Sequence, residues 1–147
     1  MRYISTRGKA PALSFSDVLL TGLAEDGGLY LPQTWPEFSQ SDWRALRGLP
    51  YPELAARVMA PFTAPDIDFE TLHDLCKKAY SGLSHPAIVP VTQVEDGLFV
   101  QELFHGPTLA FKDMAMQVLG QLFEHVLTQR DEHVTIVGAT SGDTGSA

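Results

Sequence analysis

Lys112 is the residue of this chain whose type and position say most about chemistry. On a helical wheel at about 100° per residue, the segment from Asp113 to about Leu127 places Ala115, Leu119, Leu122 and Val126 in one narrow arc, flanked by Val118 and Phe123. Asp113, Gln117, Gln121 and Glu124 fall on the opposite side. Lys112, extended back onto the same wheel, lies inside the apolar arc close to Leu119. A lysine in that phase either carries its amine out to water along its stem or points it into a cleft. An amine in a cleft at a helix N-terminus loses hydration and faces the positive end of the helix dipole, and both effects lower its pKa. A neutral lysine amine attacks carbonyl carbon, so the placement suits a Schiff base. Helical phase taken alone favours the solvated alternative.

The second chemical feature ends the chain. Gly138-Ala139-Thr140-Ser141-Gly142-Asp143-Thr144-Gly145 follows an apolar run and should precede a helix. Its three glycines free the backbone to turn N–H groups toward an anion, and a helix N-terminus adds its dipole. Thr140, Ser141 and Thr144 contribute hydroxyls. The spacing fits neither the dinucleotide fingerprint nor the Walker loop, so the turn suits a carboxylate or phosphate without a nucleotide. Asp143 is discordant there, because its carboxylate repels an anion unless it points to a cation or hydroxyl. A plain strand-to-helix turn is the alternative.

Two blocks of sequence must position these features. Residues 1 to about 85 carry short elements. Ser14 to Asp17 can cap a helix through Val18, Leu19, Leu20 and Leu23, Glu25-Asp26-Gly27-Gly28 marks a turn, and Leu29-Tyr30-Leu31-Pro32 reads as a short strand. A proline-punctuated stretch leads to a short helix from Pro52 to about Met59. Asp66 or Asp68 caps a further helix with Phe69, Leu72, Leu75, Cys76 and Ala79 on its apolar stripe. Ser81 to Pro86 reads as a linker. From there, Ile88–Val94 and Leu98–Leu103 form a hairpin about Glu95-Asp96-Gly97. The long helix from 113 follows, and then a short buried strand, His133 to Gly138. This order predicts an α/β domain with a partly parallel sheet.

Composition narrows the class. The chain has 147 residues, 44% of them hydrophobic, and a net charge of −8. That apolar fraction suits a globular fold rather than disorder. Eighteen Asp and Glu against ten Lys and Arg lack the basic footprint of a nucleic-acid or anionic-membrane binder. No window reaches the ~18 apolar residues of a spanning helix. The single cysteine, Cys76, forms no internal disulfide and reads as core packing. No pair of histidines has zinc-ligand spacing, so no metal is expected. These features suggest a cytoplasmic protein. A glycine-rich turn with no helix after it suggests a truncated chain.

Taken together, the motifs resemble those of one family. Glu102-Leu103-Phe104-His105-Gly106-Pro107-Thr108-Leu109-Ala110-Phe111-Lys112-Asp113 resembles the pyridoxal-phosphate (PLP) lysine segment of the threonine synthases. Ala139 to Gly145 resembles their substrate loop, and Asp26-Gly27-Gly28-Leu29-Tyr30-Leu31-Pro32 resembles the sequence marking their N-terminal domain. The resemblance implies a small N-terminal α+β domain over residues 1–85. Residues 86–147 would then be the truncated start of a fold-type II PLP-enzyme α/β domain. It further implies a lyase that converts O-phospho-L-homoserine and water to L-threonine and phosphate. Lys112 would hold PLP as a Schiff base and then move protons at the substrate's α and β carbons, with the cofactor as electron sink. Thr140, Ser141, Gly142 and Thr144 match positions that bind the substrate's carboxylate or phosphate. Asp143 matches a cofactor-contacting position that is asparagine across much of fold type II and aspartate in the branch resembled here. Another fold-type II enzyme (a dehydratase or β-replacement synthase) and a non-catalytic anion-binding module are the rival readings.

Other residues carry blander expectations. With a lysine and PLP available, His105 is expected to position rather than to transfer protons. Arg7 is expected on the surface rather than on a substrate phosphate. Phe104 and Phe111 are expected in the core. The 147-residue chain is expected to fold yet to be inert alone, without cofactor, with Gly142 to Ala147 mobile or held by crystal contacts and an apolar face prone to self-association.

Overall fold

The computed structural model describes residues 1–147, which divide into two compact units, Met1–Asp74 and Leu75–Ala147. The first unit opens with β1 (Tyr3–Ser5), paired antiparallel with β2 (Tyr30–Pro32) in the register Tyr3 to Pro32 and Ser5 to Tyr30. Strand alternation buries Tyr3 and Ser5 and leaves Ile4 outward. The Tyr3 hydroxyl donates to the Phe62 carbonyl at 2.9 Å, tying the strand to a helix 59 residues away.

Local signals account for most of the helices. Ser14 caps α1 (Phe15–Thr21) by accepting from Asp17 N, and the helix stops at Gly22, whose φ is +69°. A short α2 (Gln40–Ala45) lies in the proline-punctuated stretch where no helix was expected. Its signal is Ser39 followed three residues later by Asp42, a reciprocal capping box. α3 (Tyr51–Thr63) runs past the expected Met59 and carries Pro61 in its last turn. Asp68 caps α4 (Phe69–Tyr80) by accepting from Thr71 N at 2.9 Å, while Asp66 accepts from Ser16 N at 2.8 Å. Leu72, Leu75, Cys76 and Ala79 are buried along α4, as its periodicity predicts. Burial pushes the Cys76 thiol up to about 11, so it packs as a small apolar group.

The Asp26-Gly27-Gly28 turn works through one carboxylate. Asp26 accepts from the Ser5 hydroxyl at 2.7 and 2.9 Å, and from the backbone N–H groups of Lys9, Ala10 and Gly28 at 3.0, 3.0 and 2.9 Å. A Cβ on Gly28 would lie 2.3 Å from the Ser5 hydroxyl, so only glycine fits beside this hub. Arg7 is exposed, and its guanidinium donates to the Asp26 carbonyl at 2.9 Å. The Ser5 hydroxyl first, and the three backbone donors after it, lower the Asp26 pKa from 3.8 to about 2. Because the folded value is the depressed one, this contribution to stability is complete above about pH 4 and is lost as pH falls toward about 2. Asp26→Asn should therefore lower stability at neutral pH and flatten the acid limb in urea titrations run from pH 6 to about 2. Parallel acid limbs for the two proteins would remove Asp26 from this role.

The second unit begins within α4. β3 (Val91–Glu95) and β4 (Leu98–Gln101) form the expected hairpin, with a bulge between Gln93 and Glu95 and Gly97 at φ +73° in the turn. α5 (Asp113–Arg130) follows, and a single turn, α6 (Asp143–Ser146), ends the chain. Val118, Leu122 and Val126 form the buried stripe of α5.

Several expectations fail in this unit. His133 to Gly138 is neither a strand nor buried; Ile136 is 82% and Val137 91% exposed. Both sheets are antiparallel pairs, β1 with β2 and β3 with β4, and neither offers this segment a hydrogen-bonding neighbour, so no parallel sheet forms. Ala115, placed by phase in the apolar arc, is exposed, because the buried stripe takes hold only from Val118 onward. Asp113, assigned to the polar face, is fully buried. Phe104 and Phe111 are exposed rather than core, lying on the loop between β4 and α5 where neither is covered. The fold is mixed α/β with short sheets, and no helix is long and apolar enough to cross a membrane.

Candidate active site

The segment between β4 and α5 is fastened at both ends. At its start, Glu102 accepts from the Thr92 hydroxyl at 3.1 Å and pairs with His105 Nε2 at 2.7 Å. The His105 contact first, and Thr92 after it, hold the Glu102 carboxyl below the usual carboxylate range. The His105 carbonyl accepts from Ser84 N at 2.9 Å, and its ring lies 4.9 Å from that of His85. His105 thus anchors the loop through its ring and its carbonyl.

At the other end stands Asp113. Its Oδ2 accepts from Thr108 N at 2.9 Å and its Oδ1 from the Thr108 hydroxyl at 2.8 Å. Leu109 turns the chain at φ +64°, with its N–H donating to the Gly106 carbonyl at 3.2 Å. Asp113 N donates to the Ala110 carbonyl at 3.1 Å. Gly106 faces the Asp113 side chain so closely that a Cβ on it would lie 2.3 Å from Asp113 Cβ. Helical phase concealed this role, since a carboxylate at that angle reads as solvated. A threonine directly after Gly106-Pro107 and five residues before the aspartate is the available signal.

Lys112 occupies the N-cap of α5 in an αR conformation, with its carbonyl accepting from Met116 N at 2.9 Å. The side chain is half-buried. Its Nζ donates to Thr144 Oγ1 at 2.5 Å and stands 5.9 Å from the centre of the Phe111 ring. The amine therefore neither floats free in water nor sinks into the core.

The glycine-rich turn is built around Thr140. The Thr140 hydroxyl accepts from Gly142 N at 3.2 Å and Gly145 N at 3.1 Å. Two backbone donors expected to face an anion are thus used inside the turn. Gly142 sits at φ +136°, outside the range of L side chains, and a Cβ on Gly145 would lie 2.7 Å from Thr140 Oγ1. The Ser146 hydroxyl donates to the Gly142 carbonyl at 3.0 Å. Ser141 and Asp143 are exposed, Asp143 in the first turn of α6. Of the residues singled out in sequence, the structure joins Lys112 to Thr144 and Thr140 to Gly142. It gives Ser141 and Asp143 no comparable contact with the lysine.

A primary amine held beside a hydroxyl, with glycines keeping the adjoining turn free of bulk, fits an aldehyde cofactor attached through lysine. Fold and site together define a mixed α/β protein with a lysine at its candidate site. Residues 2–80 match the family described as the threonine synthase N terminus, and the chain belongs to that family. It is 56% identical to the threonine synthase of Pseudomonas aeruginosa, over all of this chain and 31% of that protein. It is 50% identical to the threonine synthase of Methylobacillus glycogenes, over all of this chain and 33% of that one. A crystal structure of PLP-bound threonine synthase from Brucella melitensis superposes with a TM-score of 0.96 at 55% identity, covering 99% of this chain and 31% of that one. The chain spans about a third of the length of these relatives.

Proposed function

We propose that this chain is the N-terminal third of a threonine synthase, a PLP-dependent lyase of the cytoplasm that converts O-phospho-L-homoserine and water to L-threonine and phosphate. Residues 1–85 serve as its N-terminal domain and 86–147 as the start of its cofactor-binding domain. The observation that carries the reading is the Lys112–Thr144 hydrogen bond. It brings together two motifs, 32 residues apart in sequence, whose resemblance to the family was independent. The relatives' names and the PLP-bound neighbour support the same reading.

Lys112 would hold the cofactor through Nζ. PLP, when bound, supplies an electron sink for the negative charge that develops on the substrate's carbons. Lys112 Nζ would move protons at the substrate's α and β carbons, and Thr144 Oγ1, its hydrogen-bond partner, would keep that nitrogen in place. Thr140, Ser141 and Thr144 would hold the substrate's carboxylate or phosphate through their hydroxyls, with Gly142 shaping the turn that presents them, and Asp143 would contact the cofactor. Glu102 and His105 hold the loop that carries the lysine.

The test is release of threonine and phosphate from O-phospho-L-homoserine by the full-length protein. Thr144→Ala should lower kcat/KM roughly 10- to 150-fold, a loss of about 1.5–3 kcal/mol, as expected for a hydrogen bond to a charged group. Thr144→Ser should restore most of it. Unchanged kcat/KM in the alanine variant would remove Thr144 from the site, and no threonine from the unaltered protein would defeat the reading.

A further inference from the structure

We infer that Asp113 is a positioning residue for Lys112, acting with Thr108 and Gly106 as a clamp that sets where the amine stands before the cofactor arrives. The inference rests on the proposed role of Lys112 and adds the device that aims it.

Four observations carry it. Asp113 is wholly buried, although it is charged and adjoins a half-buried lysine. A carboxylate is kept in such a place only where donors compensate its lost hydration. Both its oxygens are met by a single residue, Thr108, through backbone and side chain. Gly106 closes the third side, since no Cβ fits against Asp113. The clamp therefore encloses residues 106 to 113 in a ring of contacts whose far end is the first residue of α5. Lys112 lies inside that ring, one residue before its anchor. The direction of its stem follows from the αR conformation that the ring imposes, with φ −63° and ψ −24°. A flexible four-carbon side chain meets a hydroxyl 32 residues away only if its root is fixed. Nothing in the clamp touches the amine, so its effect passes through the backbone of Lys112.

The test is made in the full-length protein with pyridoxal 5′-phosphate as the probe. The apoprotein is mixed with cofactor, samples are reduced with borohydride at intervals, and the pyridoxylated peptide is quantified by mass spectrometry. Melting temperature is followed on the same apoproteins. Asp113→Asn, which keeps the shape but loses an acceptor, should slow attachment at Lys112 on the order of a hundredfold at a temperature well below melting. Asp113→Glu, with charge retained but reach altered, should not rescue it. Thr108→Val should slow attachment and Thr108→Ser should restore it, and this pair decides the matter if an Asp113 variant fails to fold. A lowered melting temperature with unaltered attachment rates in the folded variants would overturn the inference and leave Lys112 as the attachment point. Trapping of the cofactor on a lysine other than Lys112 in the unaltered protein would instead defeat the reading of the site beneath it.

Discussion

Replacing Lys112 by alanine is expected to abolish both covalent capture of PLP and formation of threonine in the full-length protein, while leaving the fold intact. The fold should survive because Lys112 supplies no buried side chain to the core, and its backbone hydrogen bonds to Ala115 N and Met116 N do not depend on its identity. Alanine is also a good residue for the first turn of a helix. Function should not survive, because the other lysines of this chain, Lys9, Lys77 and Lys78, are exposed and none shares the loop that meets Thr144. Lys112→Arg separates charge from chemistry. It places opposite Thr144 a guanidinium, which stays protonated and does not attach an aldehyde. Both variants should lack the visible absorption band of lysine-bound PLP, and borohydride should leave no pyridoxylated peptide. A stable adduct in Lys112→Ala, with activity retained, would show that the chemistry sits elsewhere.

How much of this could be read without coordinates depended on the range of the interactions. Caps and turns are written in neighbouring residues, so Ser14, Asp68 and the hairpin turn at Gly97 were legible. The apolar stripe of α4 was legible for the same reason, since residues three and four apart share a face. The strand at His133 to Gly138 was not a failure of local pattern. Its residues suit a strand, but a strand exists only where another pairs with it, and neither sheet of this chain reaches it. Asp113 failed differently. Helical phase treats a carboxylate as a mark of the solvated face, whereas here Thr108 and Gly106 provide the one environment that reverses the rule. The pairing of Lys112 with Thr144 lay beyond any local signal. In the sequence, only the likeness of the two motifs to one family links them.

The same clamp yields the largest stability effect expected in the second unit. Gly106→Ala adds one methyl group at a position whose φ is not positive, so the backbone raises no objection. Space does. The new Cβ would lie 2.3 Å from Asp113 Cβ and Oδ2 and 2.6 Å from Cγ. These atoms belong to a fully buried side chain rooted in the first turn of α5, not to the far end of a flexible one. Relief therefore requires either the loop to lift or the helix start to shift, and either motion breaks the bonds to Thr108. Overpacking of this kind costs about 1–3 kcal/mol, and each lost hydrogen bond to the carboxylate adds about 1.5–3 kcal/mol. A loss of about 3 kcal/mol or more in urea unfolding of the full-length protein is expected. Combining Gly106→Ala with Asp113→Gly removes the colliding atoms, so the double variant should be more stable than the sum of the single losses predicts, by about 0.5–3 kcal/mol. Strict additivity in that cycle would mean that Gly106 is required for a reason other than its contact with Asp113.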